Sequence, residues 1–84
     1  MNKYKIKRVS IFKIRELINL VDEINLLNIQ SLIELSCEEK KINLKSSVGV
    51  LFINMCDNLV LHIESDNIQE QTKILDVIKK YFIV

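Results

Sequence analysis

The chain predicts an α+β fold. An open-faced, two-layer sandwich is expected, with a four-stranded antiparallel sheet carrying three helices on one face, in the order β-α-β-β-α-β-α. Three observations carry this. The apolar pattern switches repeatedly between a period of two and a period of about 3.6 residues. The strand-like segments are short and lie close together, which favours an antiparallel sheet backed by helices. No internal repeat, linker or low-complexity stretch divides the 84 residues, so residues 1–84 read as a single domain.

Residues 3–11 open as a strand in which Tyr4 and Ile6 alternate with lysines, and Val9 and Ile11 alternate one register later. A bulge or kink near Lys7–Arg8 would reconcile the two registers. From Ile14 the period lengthens: Ile14, Leu17, Ile18, Val21 and Ile24 form one stripe of a helix, with Glu16, Asn19, Asp22 and Glu23 opposite. The polar "NIQ" of residues 28–30 closes it. Residues 31–39 read as a strand with Ile33 and Leu35 on one face. "EEKK" is the expected turn and "KINL" the returning strand.

Ser46 to about Asn54 then predicts a brief helix capped by Ser46, with Val48, Leu51 and Phe52 at helical spacing. Gly49, the one glycine of the chain, is expected to let this helix pack close to its neighbours. "LVLHIES" (59–65) is the clearest strand, with Leu59, Leu61 and Ile63 inward and Val60, His62 and Glu64 outward. Asp66 and Gln69 have the spacing of a capping box before a long last helix. Its apolar stripe is Ile74, Leu75, Ile78, Tyr81 and Phe82.

Composition limits the function classes. The chain is 49% hydrophobic and 27% charged, as in a soluble globular protein. No apolar run is long enough to cross a bilayer, and "MNKYKIKRVSIF" lacks the apolar core of a secretory signal. Cys37 and Cys56 stand far apart outside any C-x-x-C pair, so two free thiols in a reducing cytoplasm are expected. With one histidine, His62, and two distant cysteines, no metal site and no cofactor are expected.

Charge is unevenly placed. Lys3, Lys5, Lys7, Arg8, Lys13 and Arg15 put six cations and no acid in the first fifteen residues. Glu16, Asp22, Glu23, Glu34, Glu38 and Glu39 then follow before the next cation. A basic end attracts anionic partners, but few aromatics are interleaved with it, so no nucleic-acid partner is expected.

The element order, together with "INLKSSVG" before the short second helix, resembles HPr, the histidine-containing phosphocarrier of the bacterial sugar phosphotransferase system. The Lys-Ser-x-x-Gly core within residues 42–53 carries the resemblance most specifically, and it is similar to the HPr regulatory site. HPr carriers accept phosphate on a histidine that caps the first helix. Aligned from the serine motif, that position falls on Arg15 in "SIFKIRELI", and a one-residue slip gives Ile14 or Glu16. A guanidinium stays protonated and offers no lone pair for phosphoryl transfer.

The sequence thus looks like the catabolite-repression class of HPr, which lacks the active histidine and keeps the serine. The resemblance implies a non-enzymatic regulatory protein with Ser46 as its phosphorylation site. It also implies a partner surface at Ser47, Val48 and Leu51. The implied partners are an HPr kinase, a transcriptional regulator or phosphotransferase-system enzymes. Two other readings stay open. One is a working phosphocarrier with another acceptor, and the other is a diverged HPr fold used as a structural or dimerising module.

Overall fold

A computed structural model describes residues 2–84. Strand β1 (Asn2–Arg8) is followed by helix α1 (Ile14–Leu26) and the hairpin β2 (Ile33–Cys37) and β3 (Lys40–Asn43). A 3-10 helix, η1 (Gly49–Met55), then leads to β4 (Asn58–Ile63), helix α2 (Ile68–Ile78) and β5 (Phe82–Ile83). The sheet is antiparallel throughout, in the order β3-β2-β4-β1-β5. The α+β open sandwich with three helices is as expected, but the sheet has five strands, not four.

The fifth strand arises where the last helix was expected to continue. Helix α2 stops at Ile78, and the chain turns so that Phe82 pairs with Arg8 and Ile83 with Lys7. Phe82 is then buried against Phe12, ring centroids 5.4 Å apart in an edge-to-face contact, and Phe12 meets Tyr81 at 6.2 Å. Its apolar spacing matched a helical stripe because a two-residue strand is too short to show a period of its own.

Alternation in β1 assigns the two sheet faces. Ile6 is buried and the Tyr4 hydroxyl donates to Gln71 Oε1 of α2, so Tyr4 and Ile6 face the helices. Lys3, Lys5 and Lys7 therefore face the uncovered side. Strand β1 ends at Arg8, and Val9 and Ile11 are exposed rather than forming a second strand register. On the covered side Ile33, Leu35, Leu61 and Ile63 are fully buried with Leu17, Leu20, Ile24, Ile74 and Ile78. In α1 the inward stripe is Leu17, Leu20, Val21 and Ile24. Ile14 and Ile18, expected inside, are on the exposed side of the helix.

Two turns use left-handed backbone without glycine. Asn28 after α1 has φ 54°, and Glu38 in the two-residue turn between β2 and β3 has φ 55°. Asparagine tolerates this region, and at Glu38 it closes the hairpin tightly. The cap of α2 also differs from expectation. Asn67 is the N-cap, its Oδ1 accepting from the Glu70 N–H at 3.1 Å, while Ser65 Oγ accepts from the Asn67 N–H and donates to Glu70. This places the capping side chain one residue beyond Asp66.

Cys37 and Cys56 are joined as a disulfide, with their Cα atoms 6.1 Å apart. This overturns the expectation of two free thiols. The 19-residue separation gave no sign that the end of β2 and the end of η1 meet in space. The argument for a reducing compartment from free thiols falls with it.

The C-terminal segment is tied to α1 by charge. Lys80 Nζ lies 2.7 Å from Glu23 Oε1, and the Tyr81 hydroxyl donates to Glu23 Oε2. The bond from Lys80, then that from Tyr81, holds the Glu23 carboxyl below its usual 4.5. Burial, reinforced by the bond to Glu23, pushes Tyr81 from 10.0 to about 12. A lowered carboxylate stabilises the fold fully above its unfolded value of 4.5 and loses that contribution as the pH falls through its folded value. A raised phenol stabilises fully below 10.0, and the contribution fades as the pH climbs through about 12. Glu23→Gln is therefore expected to be less stable than the parent at neutral pH, with the gap closing in acid. Urea denaturation at about pH 7 and about pH 3 checks this.

Candidate functional site

The expected site residues fall on two segments that side-chain bonds hold together. Asn54 of η1 clamps the start of α1, its Oδ1 accepting from the Phe12 N–H and its Nδ2 donating to the Phe12 carbonyl, both at 2.8 Å. Lys13 is the N-cap of α1, and its N–H donates to Glu16 Oε1 at 2.9 Å. Arg15 lies in this first turn and is exposed.

The serine segment forms a turn before η1, not a helix beginning at Ser46. The Ser46 N–H donates to the Asn43 carbonyl at 3.0 Å, and the 3-10 helix starts at Gly49. Ser46 is half-buried, and its Oγ lies 3.5 Å from the Gly49 N–H, a long contact that makes only a weak cap. Lys45 does not turn toward it. Its Nζ donates to the carbonyls of Ile29 and Ser31 at 2.5 and 2.8 Å, closing the loop after α1.

Gly49 is not where it is for lack of space. A Cβ there would meet Asn43 N and Ile42 Cγ2 at 3.7 Å, ordinary van der Waals contact, and its φ is not positive. The expectation that glycine is needed for close packing is thereby corrected. Gly49→Ala is expected to leave stability unchanged or raise it by up to about 1 kcal/mol, through a less flexible unfolded chain. Thermal unfolding of the variant beside the parent checks this.

Helix η1 points fewer apolar residues inward than its sequence suggests. Val50 and Ile53 are buried, whereas Val48, Leu51, Phe52 and Met55 are exposed at 71%, 49%, 44% and 71%. Ser47, Val48 and Leu51, expected as a partner surface, are thus all solvent-accessible. Phe52 and Met55 extend that surface and were not expected in it. The run "VGVLFINM" is so uniformly apolar that its spacing alone does not tell the inner side from the outer. Beyond Phe52 an open cleft of about 810 Å³ is lined by Phe52, Met55, the Cys37–Cys56 bridge and the turn residues Glu38–Lys40. Lys40 Nζ caps it from one side, 4.6 Å from the centre of the Phe52 ring.

The C-terminal end of η1 is fixed from below by Arg8, on the same inward face of β1 as Ile6. Its guanidinium donates to the carbonyls of Ile53, at 3.2 Å, and Cys56, and to Asp57 Oδ1 at 2.8 Å. The Ile53 carbonyl also accepts from the Cys56 N–H at 3.1 Å, so Arg8 adds a second donor there and serves the cap residue Cys56 just beyond the helix end. The tyrosine, isoleucine, arginine alternation at positions 4, 6 and 8 was the available signal for an inward arginine.

His62 is remote from these segments. It sits in mid β4 on the uncovered sheet face, opposite Glu34 of β2 and Lys3 of β1. Its Nδ1 is 3.5 Å from Glu34 Oε1, both side chains being largely buried, and its Nε2 is buried without a partner. Among the described residues, no group of three or more histidine, cysteine or carboxylate side chains is placed to hold a metal ion.

The same architecture occurs in solved structures. The chain is similar to HPr-C-His from Thermoanaerobacter tengcongensis, at 20% identity with a TM-score of 0.70, covering 95% of this chain and 93% of that one. The fold is HPr-like. The histidine-containing phosphocarrier protein of a Mycoplasma is similar to the same degree, with 19% identity and a TM-score of 0.71 over 94% and 93% of the two chains. No family model matches the chain, and no curated protein matches it. At this identity the likeness establishes the HPr-like fold, and the chemistry has to be argued from the residues.

Proposed function

We propose that this HPr-like protein works by protein–protein contact in phosphotransferase or carbon-catabolite control, not as a phosphate carrier. The observation that carries this reading is the exposure of Leu51, Phe52 and Met55 on one short helix and of Val48 at its N-cap. Four large apolar side chains in water are costly to keep, and such a patch fits a docking surface. The start of α1 supports the same reading. It presents Arg15, matching the family's histidine position by resemblance, and a guanidinium neither accepts nor transfers a phosphoryl group.

Ser46 is the proposed control point. It lies two residues before the exposed Val48, on the segment that leads into the patch. A phosphate there adds nearly two negative charges beside an apolar surface, which changes the partners the surface accepts. Lys45 is committed to two carbonyls, so the effect would be a change of surface charge and not a new lysine contact. The proposed partners are an HPr kinase, a transcriptional regulator or phosphotransferase-system enzymes.

Incubation with an HPr kinase and ATP, read by intact mass, tests the switch. The expected result is one added phosphate on the native chain and none on Ser46→Ala. No phosphate on either chain would rule out Ser46 as the control point.

A further inference from the structure

A second face of the molecule carries exposed cations and plays no part in the proposal above. The sheet has helices on one side only, so its other side is uncovered. Lys3, Lys5 and Lys7 project from it along β1, because Tyr4 and Ile6 between them face the helices. Lys41 projects from it on β3, because its neighbour Ile42 is buried on the helix side. All four lysines are exposed. Among the described residues none of them takes part in an ion pair, whereas Arg8 and Lys80 each hold a carboxylate.

Strand register gives this face a shape. Lys41 is opposite Ser36, Ser36 opposite Val60, and Val60 opposite Lys5, so the two lysines end one row that crosses four strands. Three inter-strand steps put their backbones about 14 Å apart. Between them lie the small Ser36 and the partly buried Val60, with Glu34 and His62 in the next row. The result is a shallow trough with long cations on both sides. Its floor acid, Glu34, is largely buried beside His62, and Glu64 follows the end of β4.

We infer that this trough binds an extended acidic segment of a partner polypeptide, running along the strands between Lys41 and the β1 lysines. The separation of about 14 Å is three strand spacings of about 4.8 Å, which leaves room between the lysines for one extended chain lying along the strands. Lysines two apart on β1 recur about every 7 Å, which matches alternate side chains of such a segment. Single-stranded nucleic acid shares the charge requirement but binds through aromatic stacking platforms. This face has none. Tyr4 is on the helix side, Phe12 and Phe82 are in the core, and Phe52 is on η1.

The test uses the full chain with labelled poly-L-glutamate as the probe, beside oligothymidylate of matched length, by fluorescence anisotropy at low salt. Poly-glutamate is expected to bind the native chain more tightly than oligothymidylate does, and to be released by added salt. The triple variant Lys3→Gln/Lys5→Gln/Lys7→Gln is expected to weaken poly-glutamate binding by about tenfold or more. The control Lys73→Gln/Lys79→Gln, on the helical layer, is expected to change it by less than about twofold. Amide cross-peaks of β1, β3 and β4 in the native chain should shift on titration, and those of α2 should stay. Equal loss in the two variants, shifts centred on the helices, or no binding by the native chain would overturn the inference. Tighter binding of oligothymidylate through the same lysines would overturn the choice of occupant.

Discussion

Phe82→Ala is expected to destabilise the protein by about 3–4 kcal/mol. Phe82 is 3% exposed and belongs to a strand of only two residues, so the backbone pairing it contributes is small. Its ring, packed edge-to-face on Phe12, supplies most of what holds the C-terminal segment to β1. Deleting it leaves a void that Phe12 and Tyr81 only partly fill, and the transfer and cavity costs then add. Ile83→Ala, at a position 57% exposed in the same strand, is expected to cost under about 1 kcal/mol. Urea unfolding of the two variants separates side-chain burial from strand pairing. Similar losses in both would mean that pairing, not the Phe82 ring, anchors β5.

Arg8→Ala is expected to cost about 3 kcal/mol, while Asp57→Ala costs under about 1. The ion pair is the obvious feature of Arg8 but the weaker one. Its acid is 78% exposed, so water already solvates that carboxylate and screens the attraction. The guanidinium, only 9% exposed, also serves the carbonyls of Ile53 and Cys56 at the end of η1. Removing it takes the side-chain donor from the Cys56 carbonyl, leaves Ile53 with the Cys56 N–H alone, and opens a void beneath the helix. Its Nε is buried without a partner, which offsets part of the gain and keeps the expected loss near the lower end for a buried cation. Because this contact sits under the candidate docking face, Arg8→Ala should also loosen the amides of residues 53–57 in hydrogen exchange. Protection unchanged there, with stability lost elsewhere, would show that Arg8 does not hold η1.

Where a segment had one buried face and enough length to show its period, the sequence was readable. Strand β4 alternates as its spacing implies, with Leu59, Leu61 and Ile63 all buried. The period of residues 14–24 locates helix α1, but the buried stripe is rotated from the one that the isoleucines suggest. Leu20 takes an inward place, while Ile14 and Ile18 are exposed. Strand β5 was hidden because Tyr81 and Phe82 continue the spacing of α2, and only the pairing with β1 distinguishes strand from helix.

The site was less legible than the fold. Ser46, Ser47, Val48 and Leu51 do lie on or beside one accessible segment, yet Phe52 and Met55 complete it and could not be sorted from Val50 and Ile53 by period. The bridge between Cys37 and Cys56 and the reach of Arg8 to η1 depend on which chain ends meet, and local spacing does not encode that. Glu34 and His62 are neighbours only through strand register.

The central claim is that the chain works by contact and does not carry phosphate on histidine. Incubation with phosphoenolpyruvate and the first enzyme of the phosphotransferase relay, followed by intact-mass measurement, tests it most directly. The expected result is an unchanged mass, because Arg15 occupies the start of α1 and the His62 imidazole is held in the sheet beside Glu34. An acid-labile phosphate on the native chain that disappears in His62→Ala would contradict it.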